Sequence, residues 1–347
     1  MFHVFDKIKN DDLYIIAEMS ANHGGSLDNA LRIVREAAKA GADCLKIQTY
    51  TADSITIDCD NEYFQIHDGG LWDGYKFYDL YTEAGTPYVW HQAIKEECEK
   101  VGIDFLSTPF DSKGVDFLEN LGVEAYKIAS FELNDIPLIE YAASKGKPMI
   151  MSCGMASVED IQDAVNACRR VGNDQIILLK CCSEYPANWQ DMHLGNIPDM
   201  RHRFNVPVGL SDHSFGSLGA VVAVALGARV IEKHVKIDGI ESPDSKFSMT
   251  MDDFSRMIKD AKNAKDIAEG PNYSLSPKEE GQKHFRRSLF AVKNIKVGDE
   301  ITNENVRSIR PSNGVQPKYL KDILGKKAKS AVEFGQPITE EFLKELG

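Results

Sequence analysis

Two histidines close apolar, β-branched runs of this chain: His213 in GLSDHSFGS (209–217) and His234 in VIEKHVK (230–236). If those runs are neighbouring strands of one parallel sheet, their imidazoles converge on a single point. Neither segment offers a cysteine or a third histidine. Such a pair suits an open divalent-metal site completed by water and substrate oxygens better than a closed zinc site. Two hydrogen-bonded core histidines are the structural alternative, and spacing alone leaves it open.

Other apolar runs also finish on polar side chains: Glu18 and Ser20; Lys46, Gln48 and Thr49; Ser107 and Thr108; Lys127 and Ser130; Ser152; Ser183 and Tyr185; Ser211 and Asp212; Glu232 and Lys233. A lone strand-end lysine is commonly a snorkelling side chain, and a lone serine commonly satisfies backbone. Eight runs sharing one habit at one end point instead to a common polar pocket, because an unpaired charge among β-branched side chains is costly. Alternation along a strand puts Lys46 with Gln48, Ser183 with Tyr185, and Ser211 with His213 on one face each. Lys46 and Lys127, with hydroxyls of Thr108, Ser130, Ser152 and Ser211, read as donors without acceptors. That set asks for a polyanion such as a phosphate bearing a carboxylate. Metal and phosphate in one pocket imply an aldol-like carbon–carbon bond formation or its reverse.

The elements that must position these groups alternate from Tyr14 to about Gly270. Strands are expected at 14–20, 44–50, 104–109, 125–130, 148–154, 175–185, 206–214 and 229–237. Helix patterns lie between them, such as Leu27, Ala30, Leu31, Val34 and Ile161, Ala164, Val165, Cys168. Ser157 and Asp160 form a capping box before the latter. Eight such units over roughly 250 residues predict a (β/α)8 TIM barrel, whose strand carboxyl ends carry the chemistry. A doubly wound sheet is the alternative, but its G-x-G-x-x-G turn is missing after the first strand. The long aromatic connection 51–88 is expected to be an insertion at the barrel mouth. After Gly270 the chain turns polar, then short-stranded, with turns at Gly298-Asp299, Asn313-Gly314 and Gly335. This predicts a catalytic barrel over 1–275 and a linker with a small, mostly β module over 276–347.

Composition excludes other classes. The chain has 347 residues, 43% hydrophobic, and a formal net charge of −13 with no basic block, so nucleic acid and anionic membranes are not expected partners. No apolar run approaches membrane-spanning length, and the charged start lacks the pattern of a secretory signal. Seven scattered cysteines without a C-x-x-C pair suggest reduced thiols and a cytoplasmic location.

The wording of AEMSANHGGSL (17–27), KIQTYTADSIT (46–56), YKIASFE (126–132), GLSDHS (209–214), VIEKH (230–234) and NIKVGDEITNENVRSIRPSNG (294–314) resembles the sialic acid synthase family, most of all its bacterial pseudaminic acid synthase branch. The match runs over nearly the whole chain in order and spacing. It implies condensation of phosphoenolpyruvate with an open-chain N-acetylated amino sugar, here 2,4-diacetamido-2,4,6-trideoxy-L-altrose, giving pseudaminic acid and phosphate. It also implies a C-terminal antifreeze-like (SAF) domain, a domain-swapped homodimer, and a divalent ion, Mn2+ first, with Mg2+ or Co2+ as alternatives.

By this resemblance His213 and His234 hold the metal. Lys46, Thr108, Lys127, Ser130, Ser152, Ser183 and Ser211 match positions around phosphoenolpyruvate; Glu18, Gln48, Glu132, Tyr185 and Asp244 match positions around the sugar and the reacting carbons. Arg310 matches an arginine lent by the swapped domain. Ser183 stands where N-acetylneuraminate synthases carry asparagine, a departure at the carboxylate contact. Glu18 is expected as a general base or water-positioning group. The rival readings are a legionaminic or N-acetylneuraminic acid synthase, a Schiff-base aldolase using Lys127 or Lys46, and a non-catalytic sugar-phosphate-binding regulator.

Overall fold

The computed structural model describes residues 2–346. Eight parallel strands run β1 (Tyr14–Glu18), β2 (Cys44–Thr49), β3 (Asp104–Pro109), β4 (Tyr126–Ile128), β5 (Met149–Ser152), β6 (Ile176–Cys181), β7 (Val208–Asp212) and β8 (Val230–Lys236). Their order is β3-β2-β1-β8-β7-β6-β5-β4, and β3 and β4 lie side by side without a regular ladder, so the barrel is closed but for one seam. A two-residue strand, β9 (Met249–Thr250), pairs with the end of β8. A helix follows each barrel strand, from Leu27–Ala40 after β1 to Met251–Ile267 after β8. Ser26 caps the first by accepting a hydrogen bond from Asn29 N, and the capping box of Ser157 and Asp160 opens Val158–Arg170 as expected.

Alternation along the strands separates two apolar layers. Outward-facing Ile15, Leu45, Met149, Leu178 and Ile231 pack against the helices in one cluster. Inward-facing Tyr14, Ile16, Cys44, Leu106, Ala125, Ile150, Ile177, Leu179 and Val230 fill the barrel floor, sealed by Phe2 and by Val4 of the short helix Val4–Lys9. Two residues further along the same inward rows, Ile16 gives way to Glu18, Cys44 to Lys46, Leu106 to Thr108, Ala125 to Lys127, Ile150 to Ser152 and Val230 to Glu232. The pleat alone therefore stacks a polar storey on an apolar one.

Strands six and seven are shorter than expected. β6 stops at Cys181 and β7 at Asp212, so Ser183, Tyr185 and His213 sit on the loops just beyond. Alternation therefore cannot pair Ser183 with Tyr185.

The chain divides into two compact units, the first ending at Glu269 and the second beginning at Gly270. Among the described residues of the second unit, regular strand is confined to an antiparallel pair, β10 (Ser288–Ala291) and β11 (Val306–Ile309). Isolated bridges join Phe290 to Pro337, Ile295 to Val332 and Glu300 to Lys327 around a core of Leu289, Ile295, Ile301, Val306 and Ile338. Among the described residues no helix is long and apolar enough to cross a membrane.

Candidate active site

The upper storey opens into a cleft of about 450 Å³. Of the expected site residues, Lys46, Gln48, Lys127, Ser130, Glu132, Ser152, Tyr185, Ser211, His213, His234 and Asp244 line it. Glu18, Thr108 and Ser183 do not line it. Arg310 belongs to the second unit, in the bend after β11.

The two lysines are not donors without acceptors. Lys46 Nζ lies 2.6 Å from Glu18 Oε2 and 3.7 Å from Glu232 Oε1, and Lys127 Nζ lies 3.8 Å from the same Glu232 oxygen. Two ammonium groups held at 4% and 1% exposure need counter-charges within the protein, and these carboxylates supply them. Hydroxyls complete the set: Lys127 Nζ donates to Ser152 Oγ at 2.6 Å and to Ile128 O at 3.0 Å, Lys46 Nζ to Thr108 Oγ1 at 3.5 Å, and Ser211 Oγ to Glu232 Oε1 at 3.2 Å. Glu232 lines the cleft as well; sequence reasoning counted it among the polar strand ends but gave it no role in the site. Its signal was present, since it shares a strand face with His234 two residues on.

Two carboxyl groups are pushed up to about 7. For Glu18 burial is the largest cause, opposed by Lys46 and reinforced by Glu232; for Glu132 burial dominates, opposed by Lys127. Their positions differ. Glu132 lines the cleft and keeps Oε2 buried without a hydrogen-bond partner, whereas Glu18 lies behind Lys46 and reaches the cleft through Gln48, whose Nε2 donates to Glu18 Oε1 at 3.4 Å and Ser20 Oγ at 3.1 Å. Asp244 accepts from Ser20 Oγ at 2.5 Å, and burial raises its carboxyl.

The imidazoles of His213 and His234 meet with ring centroids 5.3 Å apart. His213 Nδ1 is 2.9 Å from Cys182 O, a carbonyl that can only accept, so Nδ1 is the donor and Nε2 is the nitrogen left to bind an ion. His234 Nδ1 is buried with no hydrogen-bond partner, and burial, then the neighbouring His213, hold this ring well below the usual histidine range and hence neutral. A neutral, orphaned imidazole nitrogen beside an oriented one fits a divalent ion. Among the described residues no group of three or more His, Cys, Asp or Glu is placed to hold a metal, so these rings would leave coordination positions open for water or substrate.

Aromatic rings enclose the pair. Tyr185 lies 4.3 Å from His213 and Phe247 4.9 Å from His234, centroid to centroid, and Trp72 stands 5.4 Å from Tyr185. Trp72 comes from the 51–88 connection, which also gives Ile55, Ile66, Phe77, Leu80 and Tyr81 to the cleft wall. Its indole N–H donates to Pro243 O at 3.3 Å, tying this connection to the loop that carries Asp244 and Phe247. Ser183 is close at hand though off the wall: a Cβ on Gly154 would come within 2.0 Å of Ser183 Oγ and 2.8 Å of Ser130 Oγ, so glycine lets the two serines approach.

Comparison with known proteins adds three findings. The NeuB family model matches residues 33–272, and the SAF domain model matches residues 286–344. The chain is 47% identical over 329 residues to a pseudaminic acid synthase of Campylobacter jejuni, covering 94% of this chain and 96% of that one. It is 31% identical to an N,N'-diacetyllegionaminic acid synthase of Legionella pneumophila, covering 95% and 94%. Among solved structures, the N-acetylneuraminic acid synthetase of Leptospira borgpetersenii, crystallised with citrate, superposes with a TM-score of 0.69 at 32% identity, over 79% of this chain and 90% of that one.

Proposed function

The chain belongs to the NeuB family, and on that premise we propose that it condenses phosphoenolpyruvate with 2,4-diacetamido-2,4,6-trideoxy-L-altrose to form pseudaminic acid and phosphate. The observation that carries the reading is the cleft itself: two buried lysines with a ring of hydroxyls on one side, two imidazoles in an aromatic box on the other. The relatives of pseudaminic acid type share more of this sequence than the legionaminic type does, 47% against 31% identity, which favours the trideoxy sugar.

In the reaction, carbon 3 of phosphoenolpyruvate bonds to the aldehyde carbon, whose oxygen takes up a proton. Water adds at carbon 2, and the bond from that carbon to the phosphate oxygen breaks. Lys46 and Lys127, with Ser130, Ser152 and Ser211, hold the phosphate and carboxylate and stabilise the departing dianion, and Thr108, off the cleft wall, steadies Lys46. Entry of that anion gives both ammonium groups a second partner, so Glu232 is released in part toward the reacting carbons. Glu132, facing the cleft with a pKa near 7, is placed to move the proton of the attacking water, and Glu18 sets the position and charge of Lys46 from behind. Gln48, Tyr185 and Asp244 orient the sugar. His213 and His234 would hold a divalent ion, Mn2+ in our reading, which when bound supplies Lewis acidity toward a carbonyl oxygen. We assign the active form to a homodimer in which Arg310 of the small unit serves the other chain's sugar.

Phosphate release should require phosphoenolpyruvate, a divalent ion and the trideoxy sugar, with the legionaminic acid precursor and N-acetylmannosamine at least tenfold poorer by kcat/KM. Equal or better use of either competitor would overturn the substrate assignment.

A further inference from the structure

Each metal-site histidine follows a residue of opposite charge. Asp212 precedes His213 and Lys233 precedes His234, and β7 and β8 pair Asp212 with Lys233 in register. Ser211, His213, Glu232 and His234 line the cleft, His213 from the first loop position after β7, while Asp212 and Lys233 are buried on the opposite, helix-facing side of the sheet, at 1% and 2% exposure. There Lys233 Nζ lies 2.8 Å from Asp212 Oδ2 and also donates to Ser214 O. Asp212 Oδ1 accepts from Ser214 N at 2.9 Å and Ser214 Oγ at 2.7 Å. The ammonium thus grips the residue before His213 and the residue after it.

Neither residue touches the cleft, and a buried ion pair contributes little net stability over a well-packed apolar pair. Its best-attested physical use is to fix register. Packing around it is committed: a Cβ on Gly219, in the first turn of helix Leu218–Ala225, would come within 2.9 Å of Ser214 Oγ and 3.1 Å of Asp212 Oδ2. The helix is notched to admit these charges.

We propose that Asp212 and Lys233 are positioning residues for the divalent-ion site, a claim that rests on the two-histidine reading above: from behind the sheet their ion pair locks the strand ends so that His213 and His234 leave the backbone at the spacing the ion requires. Outer partners that orient metal ligands typically alter metal affinity about 10- to 100-fold when changed.

The test compares Mn2+ binding, followed by the electron paramagnetic resonance signal of free Mn2+, in the full-length protein and its variants without substrate. D212N/K233M keeps the acceptor for Ser214 and leaves no unpaired charge. It should fold with a melting temperature close to that of the unsubstituted protein, yet bind Mn2+ about 10- to 100-fold more weakly, with an altered Co2+ absorption spectrum. Affinity within twofold of the unsubstituted protein overturns the proposal. Should the double variant not fold, K233R, which preserves charge and changes reach, must show a smaller weakening in the same direction, and unchanged affinity there overturns it equally. H213A and H234A separate the two claims. If they bind Mn2+ as the unsubstituted protein does, the metal reading falls and this proposal with it; if they lose binding while D212N/K233M retains it, only the positioning role falls.

Discussion

The floor and the mouth of the barrel are built on the same inward-facing rows, two residues apart. Tyr14, Ile16, Cys44, Leu106, Ala125, Ile150 and Val230 make the lower storey; Glu18, Lys46, Thr108, Lys127, Ser152, Ser211 and Glu232 make the upper. Both are buried. The lower storey is held mainly by apolar contact, with a side-chain hydrogen bond from the Tyr14 hydroxyl to Asp104 Oδ2 at 2.6 Å, and its aliphatic members are replaceable by others of similar volume. The upper is held by mutual charge neutralisation, in which each member depends on the identity of the others. Burial is therefore no guide to role in this protein; the rung of the strand is.

Substitutions on one row should separate the two roles. Lys127→Met removes a cation from the proposed phosphate pocket and should cut kcat/KM for phosphoenolpyruvate by about 10²–10³-fold in a phosphate-release assay. Ile150→Ala, two strand positions below Ser152, should cost about 2–5 kcal/mol in urea unfolding while kcat at saturation stays within a factor of about two. The reverse pattern, with activity lost at Ile150 and stability at Lys127, would erase the distinction. A smaller effect is expected at the rim. Trp72→Ala opens the aromatic box and should raise the sugar KM about tenfold while leaving the phosphoenolpyruvate KM in place, the loss of one well-packed ring being worth about 1–2 kcal/mol.

The mildest test is by pH. With its carboxyl raised to about 7 in the free protein, Glu132 is mostly ionised above that value, so a base role predicts kcat/KM rising with pH through about 7 and falling away below it. Glu132→Gln should flatten that limb. A limb of unchanged shape in the variant would move the role to another group.

Much of this was legible in the residues. Eight β-branched runs gave eight strands, and the polar residues at their ends gave the mouth, because alternation and parallel order leave few other arrangements. The counter-charges were harder. Glu232 lay in plain view beside His234, but only the barrel's closure brings it between Lys46 and Lys127, which come from β2 and β4. Trp72 was out of reach for a similar reason: its anchor, Pro243, is 171 residues away, and no local pattern encodes that contact. Strand ends were overestimated at β6, which stops at Cys181, because nothing in Cys182 to Glu184 breaks a strand before Pro186.

The pleat at the ends of β7 and β8 also limits how this protein can diversify. Deleting a single residue ahead of His213 or His234 would exchange the two faces of that strand, turning the aspartate or the lysine into the reaction chamber and an imidazole into the oily jacket. In these two segments a change of letter can be absorbed where a change of length cannot, because length decides which face each side chain takes.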